Sequence, residues 1–202
     1  MVGLARRVDK MEELSIKLKS LPGKFFAFKA DITKEEDIIA AFKWVTVNVG
    51  PVSILINNAG ISQPTNISEG VTEMWRKVMD TNVMGASIAT REAIKIMKEN
   101  NIDGRIIMIN SILGHYVYNI PNMNMYGASK FALNAISESL RFELIEAGSK
   151  IKISVSNHWK RLYFGQFITA RGLEFFFFFM ISLGRCLSCS LFVFHSFSVH
   201  FF

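Results

Sequence analysis

Residues 52–60 read Val-Ser-Ile-Leu-Ile-Asn-Asn-Ala-Gly. Val52–Ile56, apolar but for Ser53, is a run of strand length, and it ends in the turn-forming cluster Asn57-Asn58-Ala59-Gly60. A strand that is apolar on both faces needs cover on both, which places it in a parallel sheet between layers of helix. The flanking sequence supplies those helices. Upstream, Gly50-Pro51 closes a helix that is expected to open at a capping box of Thr33 and Glu36 and to run to about Val49. Downstream, a long helical stretch runs from about Val71 to Asn100, with a bend expected near Asn82 and Gly85.

The alternation continues in both directions. Val8, Met11, Leu14, Ile16 and Leu18 recur at helical spacing between Arg6 and Leu21, where Pro22-Gly23 stops the helix. Lys24–Ala30 reads as a short aromatic strand ended by Asp31-Ile32-Thr33. Arg105–Asn110 is a second buried strand, Ser111–Met125 a loop, Tyr126–Ala147 a helix stopped before Gly148, and Ile151–Val155 a further strand. Strand and helix in turn predict an α/β fold, a doubly wound parallel sheet with right-handed crossovers.

At 202 residues, half of them hydrophobic, the chain is long enough for one such domain. Its 23 Lys and Arg against 17 Asp and Glu give a net charge of +6. No basic block interleaved with aromatics runs along it, which argues against a nucleic-acid partner. Residues 1–156 contain no cysteine, which suits a reducing compartment such as the cytoplasm. Met1 leads directly into Gly3, Arg6 and Arg7 without an apolar core and cleavage site, so no signal peptide is expected.

In Tyr126-Gly-Ala-Ser-Lys130 the lysine follows the tyrosine by one helical turn on the same face. A free tyrosine titrates near pH 10, and a neighbouring ammonium favours its phenolate, so Tyr126 is a candidate general acid/base. The plain alternative is a surface Tyr and Lys on an amphipathic helix. Ser111, Asn57–Gly60 and Asp31 each end a strand, the edge at which open α/β sheets bind ligands. Asn82 falls inside a helix, where Asn has mediocre propensity. Each has a structural alternative: a turn hydroxyl, turn formers, a helix-entry residue, an exposed polar side chain. Their arrival at successive strand ends favours a site.

Ala30-Asp31-Ile32, Asn57-Asn58-Ala59-Gly60, Thr81-Asn82-Val83, Ile109-Asn110-Ser111-Ile112-Leu113-Gly114 and Tyr126-Gly-Ala-Ser-Lys130 together resemble the classical short-chain dehydrogenase/reductases, over Met1–Ser156. Gly3-Leu-Ala-Arg-Arg7 and Ser111-Ile-Leu-Gly-His115 are most similar to a subgroup that includes dehydrogenase/reductase member eleven and the insect farnesol dehydrogenases. The resemblance implies a Rossmann-like sheet and a catalytic set of Asn82, Ser111, Tyr126 and Lys130. Tyr126 is then the proton donor or acceptor, and Ser111 binds the substrate oxygen. Lys130 binds the nicotinamide ribose and lowers the tyrosine pKa, while Asn82 positions a water. Asp31 and Ile32 flank the adenine, and Asn58, Ala59 and Gly60 line the ribose side. Arg6 and Arg7 look like a pair that meets a 2′-phosphate, which favours NADP over NAD; their alternative is a solvated helix start.

The sequence departs from the family at both ends. The strand, Gly-rich turn and helix that cradle the cofactor pyrophosphate are not found, and the first two strands are expected to be missing, with Met1-Val2 as the end of the second. After Ser156 the character changes: the last 46 residues hold 12 of the 18 Phe, both Cys and one acid, Glu174. Residues 157–202 therefore read as an aberrant hydrophobic tail rather than a native domain, with the composition of translated noncoding sequence. Leu173–Phe194 is long enough to span a bilayer, but Arg185 near its centre costs about 2.5–3.5 kcal/mol. Cys186, Cys189, His195 and His200 have too short a spacer for a zinc finger, so no metal is expected.

The reading that results is an NADP-dependent alcohol dehydrogenase or carbonyl reductase. The apolar loop Tyr116–Met125 favours a lipophilic alcohol or ketone, such as a terpenoid or steroid. The resemblance also implies a dimer or tetramer paired through the helices of 71–100 and 126–147. A second reading, of a different class, is a catalytically inactive fragment of such an enzyme, associated with membranes through its tail.

Overall fold

The computed structural model describes residues 1–158 and the backbone of 174–175 and 178–181. The chain begins with β1 (Val2–Ala5), α1 (Val8–Lys17), β2 (Phe26–Lys29), α2 (Glu35–Asn48), β3 (Ile54–Asn57) and a short β4 (Gly60–Ile61). It continues through α3 (Thr72–Met79), α4 (Ala86–Glu99), β5 (Arg105–Ser111), α5 (Asn124–Glu146) and β6 (Lys152–His158). Two short strands follow, β7 (Glu174–Phe175) and β8 (Phe178–Ile181).

Six strands form one sheet in the order β2-β1-β8-β3-β5-β6. β1 with β2, β3 with β5, and β5 with β6 are parallel, as the buried apolar runs predict. The core is continuous across it, from Val2 and Leu4 through Leu55, Ile106 and Met108 to Ile153, with Ala41, Phe42 and Val45 of α2, Ala89, Ala93 and Met97 of α4, and Leu133, Leu140 and Leu144 of α5. Trp44 of α2 covers the outer strand, its ring 6.1 Å from that of Phe26 and 5.4 Å from that of Phe28.

Several expectations change in detail. Val2–Ala5 is a fully paired, buried strand, not merely the last residues of one. β6 runs through Ser156 to His158, still in register with Asn110 and Ser111. The capping box of Thr33 and Glu36 does not form. α2 has Lys34 at its N-cap without a side-chain cap, and Thr33 instead gives both its N–H (3.0 Å) and its hydroxyl (2.8 Å) to Asp31 Oδ1. Asp31, two residues upstream, takes the Thr33 N–H that Glu36 would accept in the box, in the manner of an Asx turn.

Where a bend is expected near Asn82, the helix changes form. Asp80–Gly85 winds as a π-helical turn between α3 and α4, and such single-turn expansions recur at functional sites. Gly85 is required by a close approach, since a Cβ there would stand 2.6 Å from the carbonyl oxygen of Ile32. The loop after β2 is thereby seated on that turn.

The position between β1 and β3 is filled by β8, antiparallel to both, with Phe178 opposite Leu4 and Asn57. Its approach is marked by β7, which pairs antiparallel with β4, Gly60 opposite Phe175. Within the span weighed as a bilayer helix, the described residues are thus strand. Cys186, Cys189, His195 and His200 lie outside the described residues, and among those described no helix is long and apolar enough to cross a membrane.

Candidate active site

β5 ends at Ser111, whose side chain caps a short 3₁₀ turn over Ile112–Gly114 by accepting from Leu113 N–H at 3.3 Å. The helix α5 then brings Tyr126 back beside that strand end, where its hydroxyl faces the Ser111 side chain. Burial raises the Tyr126 pKa above the ordinary phenol value, and the Ser111 side chain offsets part of the rise.

Lys130, one turn along α5, is 4% exposed. Its Nζ donates to the Ile109 carbonyl at 3.1 Å and stands 5.6 Å from the centroid of the Tyr126 ring. Burial pulls its pKa down to about 8. The expected lowering of the tyrosine pKa by this ammonium is not seen in this arrangement: desolvation of the phenol is the larger effect, and the ammonium points to a backbone oxygen.

Asn82 is fully buried rather than an exposed polar side chain. It accepts from Ile61 N–H at 2.8 Å and donates to the Ile61 carbonyl and to Ser129 Oγ, both at 2.9 Å. Both of its amide hydrogens are therefore committed to protein groups, and its side chain clamps β4 to α5. The π turn is what aims it inward. Gly60 completes this corner: a Cβ there would lie 3.5 Å from Asn82 Oδ1 and 3.7 Å from Lys130 Nζ.

The other strand-end residues gather along the same edge of the sheet. Ala5, Ala30, Ile32 and Ala59 line an apolar hollow with Leu4 and Phe42, past the ends of β1, β2 and β3. Asn58 is half-buried in the turn between β3 and β4, and its N–H donates to the Ile56 carbonyl at 3.1 Å. Asp31 directs its carboxylate at Thr33, while Arg6 and Arg7 are exposed at the start of α1, beyond the end of β1.

These residues fit the two ends of a dinucleotide. Small side chains line the apolar hollow at the edge where a base would lie, and Gly60 stands beside the Lys130 ammonium, where a ribose would lie. They do not fit its diphosphate. Between β1 and β3 the described residues place β8, and none of them forms a glycine-rich turn running into a helix N-terminus.

Three polar residues, two of them buried, were not singled out from the sequence as site residues. Ser129, fully buried, links Asn82 to the Tyr126 carbonyl (2.7 Å). Asn110 and Asn134 bond one another across β5 and α5 at 2.7 Å. Asn134 continues the four-residue spacing of Tyr126 and Lys130, a signal present in the sequence. Asn57 also turns inward, to Thr90 Oγ1 at 2.8 Å, and ties β3 to α4.

Residues 1–157 match the profile of the short chain dehydrogenases. The chain is 46% identical over 155 residues to the farnesol dehydrogenase of Aedes aegypti, covering 76% of this chain and 63% of that one. It is 44% identical over 154 residues to dehydrogenase/reductase SDR family member 11 of Gallus gallus, covering 75% and 60%. The chain thus spans about three-fifths of the length of these curated relatives. Among solved structures, a short chain dehydrogenase/reductase from Burkholderia phymatum in complex with NAD superposes with a TM-score of 0.70 at 26% identity, covering 76% of this chain and 54% of that one.

Proposed function

The chain belongs to the short-chain dehydrogenases, and on that premise we propose that it derives from an NADP-dependent oxidoreductase that interconverts a lipophilic alcohol and its carbonyl compound. The observation that carries the reading is the Tyr126 hydroxyl set against the Ser111 side chain, with the Lys130 ammonium buried beside the ring.

The bound nicotinamide supplies or accepts the hydride. The rest is work for this chain's own side chains. Ser111 and Tyr126 present two hydroxyls to one substrate oxygen. The buried phenol stays protonated at neutral pH, which suits it to give its proton to a carbonyl being reduced. Lys130, its pKa lowered by burial to about 8, would hold the nicotinamide ribose, with Gly60 beside its ammonium. Asn82 holds the floor of the site through Ile61 and Ser129. Arg6 and Arg7, at the adenine end, favour NADP over NAD.

A lipophilic substrate is supported by the loop after Gly114, where Tyr116, Val117 and Tyr118 are exposed near Ser111, and by the likeness to a farnesol dehydrogenase. Phe131, Phe142 and Ile145, exposed on α5, support pairing of two copies through that helix.

One observation favours a second reading, an inactive chain. β8 occupies the point at which the strand order reverses, where the dinucleotide crevice of such sheets lies. The test is to add NADP to the purified chain, follow tryptophan fluorescence, and then assay NADPH oxidation with farnesal or a steroid ketone. Quenching with turnover supports the enzyme; neither, from a folded chain, supports the inactive form.

A further inference from the structure

Around the proton-transfer residues runs a second set of hydrogen bonds that takes no part in the chemistry. Asn110, the penultimate residue of β5, is 2% exposed. Its Nδ2 donates to Asn134 Oδ1 at 2.7 Å and to the main-chain oxygen of Lys130 at 3.2 Å. Asn134, one turn beyond Lys130 on α5, donates its own Nδ2 to the Gly114 carbonyl at 2.8 Å. Gly114 closes the turn that Ser111 caps. A side chain there would put Cβ 2.7 Å from the Lys130 carbonyl oxygen and 2.8 Å from Asn110 Nδ2. Two amides therefore join the end of β5, the turn after Ser111, and α5 at the level of Lys130.

The orientation of Asn110 is determined by its surroundings. Its Oδ1 is buried without a hydrogen-bond partner. Turning the amide over would set that oxygen against two others, those of Asn134 and Lys130, so the side chain stays as it is and leaves one acceptor unsatisfied. An apolar residue would fill the same space without that cost. What the amide provides in return is fixed registry between two elements that carry reacting groups, and a site of this kind needs its groups held to within about half an ångström.

We infer that Asn134 and Asn110 are positioning residues, an amide clasp that sets α5 against the end of β5 and thereby places Lys130 and Tyr126 relative to Ser111. The inference rests on the reading of those three residues as a proton-transfer site. Its test follows a proton on Lys130 rather than turnover, so a chain without activity still decides it.

In the intact chain the pH dependence of Lys130 acetylation by a small anhydride, read by mass spectrometry, gives the midpoint of its titration. The wild-type midpoint is expected near 8. Asn134→Ala should raise it by about half a unit or more, because a loosened α5 admits water to the ammonium. Asn134 is only half-buried, so this variant should fold. Asn110→Ala should act in the same direction, and the double variant should do no more than either alone. Ser137→Ala is the control: Ser137 is fully buried on the same helix and bonds the Leu133 carbonyl at 2.7 Å, outside the clasp. It should lower thermal stability and leave the Lys130 midpoint in place. The clasp is overturned if Asn134→Ala leaves the midpoint at the wild-type value, if Ser137→Ala moves it equally, or if the two asparagine effects add.

Discussion

The Lys130 ammonium bonds the Ile109 carbonyl at 3.1 Å and lies 5.6 Å from the centre of the Tyr126 ring, while the tyrosine hydroxyl faces Ser111. A cation held in this way, with a pKa near 8, makes folding depend on pH. Below about pH 8 folded and unfolded chains both carry the proton, and the folded one bears the whole cost of burying it. From about pH 8 to 10 the unfolded chain keeps a proton that the folded chain has released, so stability should rise through that window. The ceiling is about 3 kcal/mol. Urea unfolding at several pH values checks it: Lys130→Met should flatten the rise, and an equally steep rise in that variant would assign it to another group.

Tyr126→Phe removes one hydroxyl and leaves the ring packing intact. In a chain that turns over, kcat should fall by about 10²–10⁴ while cofactor affinity holds. Ser111→Ala should also lower kcat and, by removing the hydroxyl that restrains it, raise the phenol pKa further. Steady-state kinetics with NADPH and a lipophilic ketone separate these effects from loss of binding.

Replacing Arg6 and Arg7 together with Ala should weaken NADPH binding about tenfold or more, the worth of lost charge-assisted bonds to a phosphate, and leave NADH nearly unchanged. Fluorescence titration with each dinucleotide reads the difference. Equal losses would remove the arginines from the phosphate.

Gly114→Ala should cost about 1–3 kcal/mol, since its Cβ would press on the Lys130 carbonyl oxygen and Asn110 Nδ2. Gly148→Ala is the comparison: φ is +59° there, but no atom stands within 4 Å of the new carbon, so only backbone strain enters. Thermal unfolding should rank Gly114→Ala as the more damaging, and the reverse ranking would mean that the turn after Ser111 yields easily.

The parallel strands, the helices between them and the change of helix near Asn82 are legible in the sequence because burial on both faces and helical periodicity leave a pattern in residue types. Tyr126, Lys130 and Ser111 are legible because one helical turn and one strand end fix where they stand. The inward turn of Asn82 and the Asn110–Asn134 bond are not legible. An amide reads alike in a sequence whether it faces water or a buried partner, and the π turn that aims Asn82 inward is set by tertiary packing against Ile32 and Ile61. The Thr33 cap failed for a related reason, since Asp31 takes the Thr33 N–H that Glu36 would have accepted.

Met180→Pro should test the placement of β8. Proline has no N–H to give to a strand with neighbours on both sides, so amides of β1 and β3 should lose hydrogen-exchange protection if that strand is seated there. Unchanged protection would remove β8 from the sheet.

The seating of β8 also bears on how the chain reaches this state. Leu4 and Phe178, partners in the middle of the sheet, stand near opposite ends of the described chain. The seam between β1 and β3 therefore closes by one of the longest loops the chain can form, after the helices and the β3–β5–β6 pairings have had time to assemble. Until it closes, two inner strand edges lie bare, each able to accept a strand from another molecule. Dilution during refolding should raise the monomer yield, and a nascent chain still short of Phe178 emerges with that seam open.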